Sequence, residues 1–431
     1  MTGGMKTLIV GGGIGGLATA LALAQRGIQA AVFERSAEVG GRARTRLTSG
    51  FAWNFGPHAL YPTAAARLET LGIRLSGGMP PTAVEAVFED ALLSLSAKGM
   101  LFSSLLKGAR LAFPRWYLEA LRGDVASLRG TTVEAWLAER LPTRSSRLLA
   151  HMLIRTTSYC DDPRLDAATA ALSLRDGMAG VHYLDGGWQR LVDALRTRAE
   201  RLGVVVTTNK PIEHLCVRQG AVTGVILRSG EVLDADAVVL AVSPRDAETL
   251  LGGAAQARLA RARLTSRPLR AACLDLALSR LPCPSRILVL GVDRPLYLSV
   301  HSAVADLAPK PGAVVHVAKY LTPGQSAQRE ELEGLLDLSQ PGWRSLVVNQ
   351  RYLPSIEVAG LTPTAELRGT LARPSVRVAE LERVFLVGDW VGEEGILASA
   401  SLSSALAAAQ QVAEISTAGI QPLPLERASI N

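Results

Sequence analysis

The chain has 431 residues, too many for one ordinary domain and suited to two or three, and its 48% of apolar residues can fill a sizeable core. Its net charge of +7, carried mostly by arginine, favours anionic surfaces or phosphate-bearing ligands. Four scattered cysteines without a CxxC pair read as reduced thiols, the six histidines show no metal-ligand spacing, and no apolar run reaches the roughly 18–20 residues of a transmembrane helix, so neither a metal site nor a membrane span is expected.

The N-terminus carries no secretory signal pattern, so the expected location is the cytoplasm, with the protein either free or held peripherally on a membrane surface. Thr7–Val10 predicts a short strand, Leu17–Arg26 a helix stopped by Gly27, and Ala30–Phe33 a second buried strand. This strand–helix–strand unit points to a parallel sheet. Residues 76–180 are rich in Leu, Ala and Arg and are broken by Pro81, Pro114, Pro142 and Pro163, which predicts a helical insert. The α/β texture returns near residue 182, with a helix over 188–202 and a strand over 204–206. A hairpin over 212–217 and 222–227 should turn at Gln219-Gly220. Strands follow at 238–242, 287–290 and 314–317, then a last strand at 384–387 and a small-residue helix over 397–414.

The glycine loop Gly11-Gly12-Gly13-Ile14-Gly15-Gly16 follows a strand and opens a helix. A G-x-G-x-x-G turn there lets backbone approach a pyrophosphate, which then rests on the positive helix end. Glu34, at the end of the second strand, can accept from ribose hydroxyls and would repel a 2′-phosphate, which disfavours NADP. Just beyond Glu34-Arg35, Gly41 and Arg42 follow Gly40, an arrangement able to set a guanidinium against a pyrophosphate.

The run from Glu34 through Gly40-Gly41-Arg42 to Arg46 resembles the second fingerprint of the amine oxidase, protoporphyrinogen oxidase and phytoene desaturase flavoprotein superfamily, nearest its phytoene desaturase-like branch. The resemblance covers most of the chain. Trp53–His58 looks like the branch's loop that passes near the flavin, which implicates Gly56, Pro57 and His58; that loop often has an acid where Asn54 stands. Asp185–Trp188 resembles the opening of the second cofactor-domain piece, and Ile212 the residue that packs on adenine through its backbone. Gly388-Asp389, with Gly395, Ile396 and Leu397, resembles the last FAD motif, where a helix N-terminus meets the N1–C2=O edge of the flavin.

The implied fold class is α/β, a Rossmann-type FAD-binding domain interleaved with an α+β substrate domain carrying a helical insert. FAD-binding pieces are expected at 1–75, 182–250 and 376–418, substrate-domain pieces at 76–181 and 251–375, and a tail at 419–431. FAD should be bound non-covalently, since no Cys or His stands in the C-terminal flavin motif. The implied activity is dehydrogenation of a C–C bond in a lipophilic, polyene- or isoprenoid-like molecule, with O2 or a quinone as electron acceptor and no nucleic acid as partner. The alternatives are oxidation of an amine or porphyrinogen, and a non-catalytic flavin- or lipid-binding protein.

His58 is the candidate acid or base, and Lys319 is the candidate for the flavin-facing lysine of amine oxidases. The basic and aromatic stretch Lys98–Arg122 suits either a helix lying in a lipid interface, with Trp and Tyr at headgroup level and Phe113 and Trp116 exposed to bind it, or a pair of substrate-domain helices packed on the core.

Overall fold

The computed structural model describes residues 5–80, 84–95, 107–253, 255–257, 259–260 and 267–418. A parallel five-stranded sheet runs in the order Val384–Leu386, Ala237–Leu240, Lys6–Val10, Gln29–Phe33, Val205–Thr207. Its strands come from three separate stretches of chain, and every residue of Ala237–Leu240 and Val384–Leu386 is buried. Such short, wholly apolar runs are what a sheet covered on both faces requires. The helix Ile14–Ala24 is buried from Gly15 to Leu23, packed between the sheet and the helix Leu397–Ala418. It begins three residues before the predicted Leu17. Gly15 and Gly16 are poor helix formers, but a Cβ at Gly16 would lie 2.0 Å from the Gly11 carbonyl oxygen, so close packing decides their place.

The predicted hairpin is present as Ile212–Arg218 and Ala221–Leu227. Gln219 and Gly220 both take positive φ, 49° and 79°, as a two-residue type I′ turn demands.

The second large sheet has seven strands, ordered Val347–Ala359, Leu269–Leu278, Ala313–Leu321, Leu296–Val300, Leu288–Gly291, Val84–Phe88, Ala91–Leu95. One face, with Val315, Val317 and Leu276, is covered by the helix Arg329–Ser339. The other face, with Ala271, Cys273, Ala318 and Tyr320, shares a core with four helices: Ala112–Arg122, Val133–Arg140, Arg144–Ser158 and Ala167–Met178. Mixed α/β architecture with a parallel sheet is thus as expected. The insert is not wholly helical, however: Val84–Phe88 and Ala91–Leu95 form a hairpin through Glu89 and Asp90, both at positive φ. Arg155, buried in the helix Arg144–Ser158, ties the insert to this sheet by donating to the carbonyls of Gly291, Val292 and Arg294.

Among the described residues no helix is long and apolar enough to cross a membrane. Of the two readings of the stretch Lys98–Arg122, the packing of Phe113 and Trp116 supports the core one and goes against the lipid-interface one. Both rings are buried, and Trp116 lies 5.6 Å from Trp136, because this helix turns its aromatic face to the core. Residues 98–106 of that stretch lie outside the described residues.

Candidate active site

A cavity of about 920 Å³ runs from the C-terminal edge of the parallel sheet to the seven-stranded sheet. Ligands in open α/β sheets bind at this edge. At its first end the glycine loop contributes Gly11, Gly13, Ile14 and Gly15 to the wall. Gly11 is at φ +104°, and a Cβ on it would lie 2.4 Å from the Ala241 carbonyl oxygen. Gly13 differs: a Cβ there meets nothing within 4 Å, so its backbone borders open space. The helix that starts at Ile14 has no side-chain cap and no acid in its first turn, which leaves its first N–H groups available to an anion.

Glu34 is buried and lines the same end. Its two oxygens each accept one backbone hydrogen bond, from Gly12 N and Ser36 N, both at 2.8 Å. A carboxylate has about four acceptor sites, so two remain for hydroxyls. Arg35 lines the cavity beside Glu34, paired with Asp246 at 3.1 Å, and Ile212 stands across from them at the head of its hairpin.

In the middle of the cavity Arg42 Nη1 donates to Asp389 Oδ2 at 2.8 Å and to the Val358 carbonyl at 2.9 Å. Burial works against the Arg42 charge, but the Asp389 carboxylate outweighs it and raises the guanidinium's pKa. Gly360 N also donates to Asp389 Oδ2, whereas Oδ1 is buried with no partner. Gly41 and Gly388 line the wall here.

The far end is made by Pro57, His58, Ala59 and Tyr61 on one side and by Ala271, Cys273, Ala318 and Tyr320 on the other. Tyr159, Trp188, Leu397 and Ala398 complete it. Burial drives the His58 pKa down to about 4, against the Gly56 carbonyl, 3.1 Å from Nδ1, which favours the charged ring. The imidazole is therefore neutral near pH 7 and stands edge-on to Trp188, 5.1 Å between centroids. Burial also raises the pKa of Tyr61, Tyr159 and Tyr320, which keeps these phenols protonated.

Not every expected site residue reaches the cavity. Gly16, Gly56, Gly395 and Ile396 stand behind its wall: Gly16 permits the close approach of helix and glycine loop, and Gly395 accepts from Arg373 through its carbonyl. Lys319 is corrected outright. Side chains alternate along Ala313–Leu321, so Ala318 and Tyr320 face the cavity and Lys319 faces the other way, where it pairs with Glu331 at 2.7 Å. Asn54, at the position where an acid was the usual residue, is buried and accepts from Trp188 N at 3.1 Å, holding the start of the helix Gln189–Arg201. Cys273 and Tyr159 were not anticipated in the wall. The signal for Cys273 was alternation along Leu269–Leu278, a strand that the sequence reading did not resolve.

FAD fits these residues. The space beside Gly13, the uncapped helix end, the unpartnered Asp389 Oδ1 and the two free acceptor sites of Glu34 answer to a pyrophosphate and two sets of ribose-type hydroxyls.

A family model described as flavin containing amine oxidoreductase matches residues 14–271, more than half of the chain. A zeta-carotene-forming phytoene desaturase of Myxococcus xanthus is 27% identical over 275 residues, covering 55% of this chain and 53% of its own length. A 4,4'-diaponeurosporene oxygenase of Staphylococcus aureus is 24% identical over 271 residues, 54% of each chain. This chain thus spans about half the length of the curated relatives it matches. Among solved structures, an oxidoreductase from Methanosarcina mazei shares the fold at a TM-score of 0.76 and 17% identity, covering 94% of this chain and 100% of that one.

Proposed function

This chain belongs to the flavin containing amine oxidoreductase family, and we propose that it dehydrogenates a C–C bond of a lipophilic, polyene- or isoprenoid-like substrate with non-covalently bound FAD. The observation that carries this reading is the chemistry of the far end of the cavity. Its wall is aromatic and small-aliphatic, and burial holds the phenols of Tyr61, Tyr159 and Tyr320 protonated and His58 neutral. Such a surface suits an apolar chain better than an alkylammonium ion, which would call for a carboxylate. The names of the desaturase and oxygenase relatives agree with a polyene-like substrate.

When bound, FAD supplies the two-electron acceptor, taking hydride at N5. The chain's part is binding and orientation. Glu34 would hold ribose hydroxyls, the glycine loop and its helix would hold phosphates, and Asp389 would hold the polyol between phosphate and ring. The start of the helix Leu397–Ala418, whose Leu397 and Ala398 line the cavity, would help to hold the flavin ring. Ala271 and Ala318 leave room for a chain to lie flat, while Tyr159 and Tyr320 exclude water from it. His58 stands in the wall as a neutral ring that can take up the proton leaving with the hydride, but the burial that lowers its pKa makes it a weak base, so it would pass that proton on to solvent rather than keep it.

The test is anaerobic mixing of the FAD-loaded protein with phytoene in detergent micelles and, separately, with putrescine. Loss of the visible flavin absorbance with the polyene and not the diamine is expected. Bleaching by the diamine alone would move the protein to amine oxidation, and bleaching by neither would favour a carrier. Reoxidation of the bleached protein by a quinone or by O2 then identifies the electron acceptor.

A further inference from the structure

One step behind the cavity wall, a row of polar side chains crosses the seven-stranded sheet. Arg351, Asp275, His316 and Ser299 stand opposite one another on four adjacent strands. The neighbouring row contains Cys273 and Ala318, which line the cavity. Asp275 and His316 are wholly buried. Burial opposes the charge of Asp275, yet His316 Nδ1 at 2.7 Å and Arg351 Nη2 at 2.6 Å hold its carboxyl below the usual carboxylate range.

The ion pair does more than satisfy itself. Gly56 N donates to Asp275 Oδ2 at 3.4 Å, and Arg351 Nη2 donates to the Asn54 carbonyl. The Arg351 guanidinium also lies over the Phe55 ring, 4.6 Å from its centroid. Three consecutive residues are thereby gripped immediately before Pro57 and His58. Gly56 is pressed onto the same sheet at φ +79°, where a Cβ would lie 2.9 Å from Cys273 Sγ. A buried ion pair is a poor source of net stability, since apolar side chains of equal volume often serve as well. Its three outward contacts give it another use.

We propose that Asp275 and Arg351 are positioning residues that clamp the loop 54–59 to the sheet and so set where Pro57 and His58 stand against the flavin ring. The second half of this statement rests on the reading of the far end as the ring site. Neither residue lines the cavity, so the positioning effect passes through the loop backbone, beside a lesser direct influence of the Asp275 charge on His58.

The fold-preserving test is Arg351→Lys, which keeps a charge beside Asp275 but loses the planar group that spans Asp275, Asn54 and Phe55. The double variant Asp275→Asn/Arg351→Gln removes the Asp275–Arg351 pair as a unit rather than stranding one partner of it. Backbone hydrogen exchange of the amides of Phe55, Gly56, His58 and Ala59, read by mass spectrometry without FAD, should quicken by about tenfold in Arg351→Lys. Exchange equal to wild type would overturn the clamp. In the FAD-loaded protein, the visible circular dichroism and midpoint potential of the flavin should shift, and kcat should fall while KM changes little. Faster exchange with an unmoved flavin signature would overturn the effect on the ring. If the wild-type flavin already shows the spectrum of free FAD, the ring-site reading fails instead, and the exchange result still decides the clamp.

Discussion

The two ends of the cavity are built by opposite strategies. At the dinucleotide end, residues close in sequence meet in space: the glycine loop, its helix and Glu34 all fall within 11–34, the loop and helix acting through backbone groups and Glu34 through a carboxylate that backbone N–H groups hold in place. At the ring end, the wall is assembled from residues near 55–61, 159, 188, 271–273, 318–320 and 397–398, each brought by a different element. The first end tolerates almost no change of backbone, while the second depends on side chains held in place by partners far along the chain. The comparison teaches that cofactor binding should fail through loop geometry, and chemistry through tertiary support.

The sharpest way to break that contrast lies within the glycine loop. Gly16→Val sets a branched side chain where a single Cβ already falls 2.0 Å from the Gly11 carbonyl oxygen, so the helix and loop must part. A loss of at least about 3 kcal/mol in urea unfolding of the FAD-free protein is expected. Gly13→Ala is the counterpart. Gly13 has an ordinary φ of −74° and open space at its Cβ, so unfolding should change by less than about 1 kcal/mol. FAD affinity should nonetheless fall by about tenfold or more, because the methyl stands where phosphate approaches backbone. Equal FAD affinity in Gly13→Ala and wild type would remove the phosphate from this loop.

This end was legible because its physics is local. A strand, a glycine turn and an acid at a fixed distance state a backbone shape that needs no distant partner. The parallel sheet followed from the short apolar runs at 7–10, 30–33, 238–242 and 384–387. The ring end was legible only in part. Trp53–His58 and Leu397 were found by likeness, whereas Asp275, His316 and Arg351 carry no mark within their own segments. Asp275 is a lone acid in the run Leu269–Leu278, and its partners lie on strands that meet only in the folded sheet. Lys319 shows the same limit: its segment was noticed, but its face could be read only once Ala318 and Tyr320 were known to look into the cavity.

A second, smaller effect separates the ends by pH. His58 has a folded-state pKa of about 4, below its ordinary 6.5, so the fold favours the neutral ring. The resulting stability is complete above about pH 6.5 and is lost as pH falls toward and through 4, by at most about 3 kcal/mol. Burial depresses His301 and His151 in the same direction, so wild type should lose stability steeply over this window. His58→Gln should flatten the slope between pH 6.5 and 4 in urea unfolding without FAD. An unchanged slope would show that His58 titrates as a solvated histidine, and the dry character of the ring end would be lost.

The smallest expected effect belongs to Lys319, and it distinguishes the two chemistries open to this family. A flavin-facing lysine would be needed for turnover, and its removal would slow flavin reduction strongly. Here the amine points to the other face of the sheet and meets Glu331, which is itself partly exposed. Glu331 has a second task, since its carboxylate accepts from Gln328 N at 3.0 Å and closes the start of the helix Arg329–Ser339. Lys319→Met therefore leaves that carboxylate with a backbone partner and access to water, and the methionine can keep the packing of the aliphatic stem. Stability should change by less than about 1 kcal/mol, and less still at high salt, as for other exposed pairs. The rate of flavin reduction by the polyene should stay within about twofold of wild type, because neither ground-state nor transition-state contacts are removed. A rate lowered by tenfold or more, with FAD content and unfolding unchanged, would mean that the strand Ala313–Leu321 presents its other face to the flavin in the working enzyme, and the assignment of Ala318 and Tyr320 to the substrate wall would have to be reversed.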